Sequence, residues 1–365
     1  MYTCLSVRNF RCFRKLDVRD LDRINLIAGL NNVGKTALLE ALFIHCGAYN
    51  PELTLRVGAL RGIELVKVEF GQWSEAPWNS LFAGFDASKP IEMVGRDSAG
   101  RQRTLRLKAA AKADELAPLR EYRTPIAGSE SLGEVPASVS SEAAPVLQME
   151  YSEADQQGTS FMVFDRNGAK VYPPPPPAPF RTFFLSARGR APLLEDAERF
   201  GKLVKDRKQA VLIEALKLVE PRLKDLALAS ENGLSIIHAD IGAPRLIPLP
   251  LMGEGMVRLA TLLLAIGSSA GGVVLVDEIE NGLHYSILGK VWLVLGKAAK
   301  LFNTQLFATT HSWECIVAAH KAFAEAEAYE LRTHRLDRKD EETRVVTYDQ
   351  ETLEAAVESG MEIRH

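Results

Sequence analysis

Residues 29–43 read GLNNVGKTALLEALF and follow directly on INLIA at 24–28. The pattern GxxxxGK[ST] is present, with Gly29, Gly34, Lys35 and Thr36 in register. The apolar run before it predicts a strand, and the apolar spacing after Lys35 predicts an amphipathic helix. That strand, loop and helix context separates a phosphate-binding loop from an ordinary glycine-rich turn. Backbone N–H groups of the loop and of the helix start surround the anion, the lysine reaches the β/γ oxygens of a nucleotide, and the threonine hydroxyl is offered to Mg2+. The candidate cradle is Gly29, Asn31, Asn32, Val33, Gly34 and Ala37, with Lys35 and Thr36 as its side-chain ligands.

A second element, GGVVLVDEIENG at 271–282, is an apolar strand ending in Asp277 and Glu278. An aspartate at that edge can hold Mg2+ through water, and the glutamate beside it can polarise the attacking water as a base. Alone, two adjacent carboxylates could be solvated acids opening a turn; with a phosphate loop upstream the catalytic reading prevails. A third, QLFATTHSWE at 305–314, puts His311 just past another apolar strand, where it is a candidate sensor of the γ-phosphate.

The rest of the chain sets the frame. With 365 residues it exceeds the usual single core, which predicts one elaborated domain or a domain with an insertion. A net charge of −3 excludes non-specific polyanion binding by the whole surface, although a local basic strip would fit inside that total. Cys4, Cys12, Cys46 and Cys315 stand far apart, with no spacing that suggests zinc or disulfides. Arginines interrupt the N-terminal apolar residues, and no apolar run reaches membrane-spanning length, so a cytoplasmic protein without a membrane partner is expected.

Between the motifs, 2–8, IELVKVEF (63–70), a hairpin over 91–107 turned at DSAGR, VLQMEY, SFMVFD and RTFFLS read as strands. Residues 109–146, rich in Ala, Ser, Glu and Pro, read as an exposed excursion, and the proline run at 173–179 as a stiff connector. The span 191–228 reads as helical, with apolar positions at three- and four-residue steps that are core rather than ligand box. After 255, helices and apolar strands alternate, which predicts a mainly parallel core sheet covered by helices, joined to an antiparallel β subdomain and a helical insertion. The expected segments are 1–60, an N-terminal lobe with the phosphate loop; 61–185, β-rich; 186–250, helical with lead-in strands; and 251–365, a C-terminal lobe.

Asp277 lies far downstream of Lys35, whereas compact GTPases and kinases place the second motif much nearer. In this arrangement the chain resembles the ABC-class P-loop ATPases, most closely their SMC-, RecF- and OLD-like branch. The likeness is carried by VRNFRCFRKLDV (7–18), GLNNVGKTALLEALF, MGEGMVRLATLLLAI (252–266), VVLVDEIENGLH (273–284), FATTHS (307–312) and the tail YDQETLEAAVESGMEIR (348–364). It covers the two ends of the chain well and the middle poorly.

The resemblance implies that Gly253, Glu254 and Gly255 occupy the signature position, where a glycine-rich helix start of one subunit closes over the ATP held by another; a homodimer follows. A helix start with small residues has unpaired N–H groups to offer an anion. Transporter subunits carry Leu-Ser-Gly-Gly-Gln there, and this chain has neither the serine nor the glutamine, so Glu254 either contacts the ligand or caps its own helix. By the same likeness Arg11 reaches toward the nucleotide, Gln72 is a magnesium-linked glutamine, and Asn281 and His284 lie on a loop crossing the dimer seam.

The leading functional expectation is an ATP-hydrolysing switch of the OLD-like type in defence against phage or other foreign DNA. No TOPRIM-type nuclease domain fits after His311, so a nuclease or toxin effector would be a separate protein. The alternative is a RecF-like repair factor that binds DNA directly, using Arg8, Arg11, Arg14, Lys15 and Arg19 or the stretch RFGKLVKDRK at 199–208. A transporter ATPase is disfavoured by the signature, and a metabolic kinase by the lack of an acceptor-binding motif.

Overall fold

The computed structural model describes all residues except 48, 62–75, 111–145, 155, 166–167, 188–192, 232, 341, 362 and 364–365. The expected strand at 63–70, Gln72 and nearly all of the 109–146 excursion therefore lie outside the described residues.

Strands β1 (Tyr2–Phe10) and β2 (Phe13–Val18) form a hairpin, after which β3 (Ile24–Ala28) leads through the phosphate loop into α1 (Lys35–Cys46) and then α2 (Leu53–Leu60). The chain returns to the hairpin with β4 (Ile91–Asp97), β5 (Gln102–Ala110), β6 (Val146–Glu153), β7 (Gln156–Asp165) and β8 (Gly168–Tyr172). These strands make one antiparallel sheet in the order β2-β1-β4-β5-β6-β7-β8. The expected segments 1–60 and 61–185 thus share a sheet, joined by the antiparallel pairing of β1 with β4.

Strand β9 (Thr182–Leu185) enters the second sheet, and α3 (Leu193–Lys205) and α4 (Gln209–Leu216) follow. A small antiparallel sheet of β10 (Asp225–Glu231), β11 (Leu234–Asp240) and β12 (Ile247–Pro248) precedes α5 (Glu254–Ser268). The helical reading of 191–228 is corrected here: α4 ends at Leu216, Pro221 cannot continue a helix, and Asp225 onward pairs along β11. Then come β13 (Val273–Val276), α6 (Leu288–Leu301), β14 (Gln305–Thr309), α7 (Trp313–Ala324), β15 (Leu331–Lys339), β16 (Glu342–Tyr348) and α8 (Gln350–Glu358). The second sheet runs β16-β15-β3-β14-β13-β9 and is parallel throughout except for the β15–β16 pair.

Every residue of β3, β13 and β14 is buried, as in strands covered on both faces. Successive side chains point to opposite faces, so one strand feeds two cores. Val274 and Val276 join the cluster built with α3 to α8, while Val273 and Leu275 join the cluster of α1 and the antiparallel sheet. Helix α1 therefore lies between two sheets. It is buried nearly all round, including Glu40 and His45, instead of amphipathic as its spacing predicted.

Candidate active site

The loop after β3 turns twice through glycine. Gly29 has φ +133°, and a Cβ there would stand 2.5 Å from the Leu336 carbonyl oxygen. Gly34 has φ +108°, and its Cβ would stand 2.6 Å from the Phe13 ring and 2.7 Å from Cys12 Sγ. Gly34→Ala is accordingly expected to destabilise the fold by about 2–4 kcal/mol, combining left-handed strain with overpacking. Urea unfolding without nucleotide checks this; an unchanged midpoint would show that the β1–β2 turn yields.

Between these glycines Asn31 and Asn32 are exposed, and Val33 is buried, anchoring the loop; Ala37 is buried in the first turn of α1. Lys35 Nζ donates to the carbonyls of Gly29 at 2.7 Å and Leu30 at 2.8 Å, so the lysine closes its own loop. Burial pulls its pKa down, while Asp277, Glu278 and Glu280 pull it up.

Asp277 follows the last residue of β13, and its N–H donates to Leu185 O at 2.8 Å. Thr309 Oγ1 donates to its Oδ1 at 2.6 Å, and Thr36 Oγ1 lies 3.1 and 3.2 Å from its two carboxylate oxygens. The structure thus joins Thr36 and Asp277, which the sequence separates widely. This is an oxygen-only donor pair, suited to a hard cation such as Mg2+. Among the described residues no group of three or more His, Cys, Asp or Glu could hold a metal. A magnesium ion here would depend on phosphate and water oxygens, as that ion usually does.

Glu278 has φ +49°, a conformation costly for a residue with a Cβ. Four contacts hold it: its N–H donates to Thr309 Oγ1 at 2.8 Å, its Oε2 accepts from Asn281 Nδ2 at 2.8 Å, and its carbonyl accepts from Arg258 at 2.9 Å and from the Asn281 N–H at 3.1 Å. The Arg258 guanidinium also donates to the Asp277 carbonyl at 3.0 Å. Burial lowers the Arg258 pKa against the pull of Glu254 and the three carboxylates of the strand end.

His311 lies on the same edge. Its N–H donates to Glu280 Oε1 at 3.0 Å and its Nδ1 is 3.2 Å from that same oxygen, which also accepts from Thr310 Oγ1 at 2.8 Å. Ser312 caps α7, accepting from Cys315 N at 3.1 Å.

At the signature position Gly253 is the N-cap of α5, with no side-chain cap bond, and Glu254 is the first helical residue. Glu254 is therefore not the N-cap residue of this helix. Its Cγ lies 2.9 Å from where a Gly282 Cβ would be, and a Gly255 Cβ would be 2.8 Å from the Gly282 carbonyl. The helix start and the ENGLH loop thus meet glycine to glycine. In that loop His284 bonds Ser286 Oγ at 2.8 Å and is exposed.

Arg11 is engaged by Glu40 of α1. Its Nε donates to Glu40 Oε2 at 3.0 Å and its Nη1 to the Ser80 carbonyl at 3.2 Å, while Arg61 takes the other Glu40 oxygen. Arg258, Glu280, Thr309 and the Glu40–Arg61 pair were not singled out from sequence. The one legible signal was Arg258, four residues after Glu254 and hence on the same helix face.

A parallel core sheet carrying a phosphate loop, with an acidic strand end brought onto its threonine and an antiparallel sheet over α1, defines a P-loop ATPase of the SMC- and ABC-like class. The family model "AAA domain, putative AbiEii toxin, Type IV TA system" matches residues 24–316, and the chain belongs to that family. A protein of Helicobacter pylori named "ATP/GTP phosphatase" is 23% identical over 383 residues, covering 97% of each chain. Among solved structures, an Smc head bound to the C-winged helix domain of ScpA superposes with a TM-score of 0.50 at 12% identity, covering 98% of this chain and 99% of that one; this likeness concerns the fold alone. Among the described residues no helix is long and apolar enough to cross a membrane.

Proposed function

We propose that the protein is a homodimeric, magnesium-dependent ATP switch of a prokaryotic defence system, acting in the cytoplasm on a separate nuclease or toxin effector. The observation that carries the ATPase part is the convergence of Thr36 on Asp277, with Glu278 pinned beside them. Lys35, the loop N–H groups and Ala37 bind the phosphates. Thr36 and Asp277 hold Mg2+, with Gln72 as a further ligand; Glu278 accepts a proton from the attacking water, and His311 senses the γ-phosphate. Arg11 reaches the nucleotide only by leaving Glu40. The signature Gly253–Gly255 closes over the partner's ATP, and Asn281 and His284 lie at the seam. The family description, which names a putative toxin of a type IV toxin–antitoxin system, fits the defence setting. A nuclease or toxin-like neighbouring gene supports it; a recombination operon there would overturn it.

Direct DNA binding draws no comparable support, and four of its candidate cations are engaged within the chain. Arg11 is held by Glu40, Lys15 pairs with Asp17, Arg199 pairs with Glu195 and Asp196, and Lys208 lies over the Phe302 ring.

Complementation tests the dimer. Gly253 is the position to alter, since a Cβ there meets nothing within 4 Å, whereas one at Gly255 meets its own chain's Gly282. Gly253→Arg at φ +97° carries strain of about 1–3 kcal/mol and puts a bulky side chain in front of the helix start. Mixed with Lys35→Ala, it is expected to restore part of the ATPase activity that each lacks alone, because one composite site of the mixed dimer keeps both intact halves. Mixed dimers as inactive as their parents would show a site built within one chain.

A further inference from the structure

Glu280 lies two residues beyond Glu278, and the reaction as read so far gives it no task. Its side chain is 11% exposed, and one oxygen, Oε1, faces three groups of the 309–312 turn: the Thr310 hydroxyl, the His311 N–H and His311 Nδ1. The other oxygen, Oε2, is buried without a hydrogen-bond partner among the described residues. Leaving a buried carboxylate oxygen unpaired is unfavourable, a cost set against the bonds that the other oxygen makes to the turn.

An ionised carboxylate only accepts hydrogen bonds, so the ring nitrogen facing it carries the proton. That fixes Nδ1–H and leaves Nε2, which has no partner among the described residues, as the nitrogen available to a ligand. The same backing of a working histidine by a carboxylate sets ring orientation in hydrolases and stabilises the imidazolium, the form in which the second ring nitrogen can donate to a phosphate oxygen. Thr310 and the His311 N–H complete a frame in which the backbone and the ring are both referred to one oxygen.

We propose that Glu280 is the positioning residue of His311, holding the ring with Nδ1–H on its carboxylate so that Nε2, protonated as well when ATP is bound, donates to a γ-phosphate oxygen. The inference rests on the reading of His311 as the phosphate sensor. It distinguishes Glu280 from Glu278: one acts through the histidine, the other on water.

The experiment is a double-mutant cycle on the full-length protein, with ring 15N spectra of His311. Glu280→Ala is expected to lower kcat roughly 10- to 100-fold, the range for removing the group behind a functional histidine, with little change in the KM for ATP. In a His311→Ala background the same substitution should cost less than about twofold, because the residues act as a unit. With ATP and Mg2+ bound the wild-type ring should carry protons on both nitrogens, and Glu280→Ala should lose that state. Should the alanine variant not fold, Glu280→Gln keeps the shape and an acceptor for Thr310 while removing the charge, and should show the same dependence on His311. An equal loss with and without His311, or an unchanged His311 ring spectrum, overturns the proposal. His311→Ala turning over at the wild-type rate would instead overturn the sensor reading beneath it.

Discussion

Replacing Lys35 by alanine is expected to leave a folded protein that no longer binds ATP measurably at ordinary concentrations. Burial lowers the pKa of the lysine, and three carboxylates, Asp277, Glu278 and Glu280, pull against that shift. Without the ammonium they face an incoming triphosphate uncompensated. Losing one charge-assisted contact costs about 1.5–3 kcal/mol, and the unscreened carboxylates add to it, so affinity should fall by about a hundredfold or more. The fold should suffer less. Lys35 Nζ bonds two carbonyls of its own loop, so the variant forgoes two hydrogen bonds worth about 1 kcal/mol each. Isothermal titration gives the affinity, and thermal unfolding with and without ATP separates the two effects. The variant should melt a few degrees lower and show no ATP-induced shift. Wild-type affinity in the folded variant would remove Lys35 from the phosphate site.

How much of this was legible in the sequence follows from where each interaction resides. The phosphate loop and the acidic strand end are local patterns, and a strand buried on both faces is a continuous apolar run, so β3, β13 and β14 could be read directly. Helix α1 shows the same rule from the other side. Its apolar residues fall at helical spacing, but Glu40 and His45 are buried too, because a second sheet covers the face that a surface helix would leave in water. Glu40 is tolerated there by Arg11 and Arg61, partners that no pattern reader would join. Strand β10 was hidden by a helical run before it, and only Pro221 hinted at the break. Arg258 and Glu280 escaped because their roles depend on backbone atoms and side chains about 20 to 30 positions away, met only when β13, β14 and α5 come together.

The second large effect is expected from Glu278→Gln. Glutamine keeps the shape of the side chain and can still meet the Asn281 amide, and the main-chain bonds to Thr309 and Arg258 do not involve the side chain at all. The left-handed backbone at φ +49° should therefore persist, and the variant should melt within about a degree of wild type. What disappears is the proton acceptor. General-base help is worth about 10²–10⁴ in rate, so kcat should drop at least a hundredfold, about 2.7 kcal/mol in the barrier. Lys35, Thr36 and Asp277 are untouched, so ATP and Mg2+ binding should remain near wild type; that split between kcat and binding marks loss of a step rather than loss of the site. If closure of Gly253–Gly255 over a partner's ATP makes the dimer, a site that cannot hydrolyse should also hold it shut. Light scattering in ATP and Mg2+ should then find a longer-lived dimer for the variant than for wild type, dispersing when the nucleotide is removed. Wild-type turnover would pass the role of base to another group, and a slow variant that stays monomeric in ATP would separate hydrolysis from dimer formation.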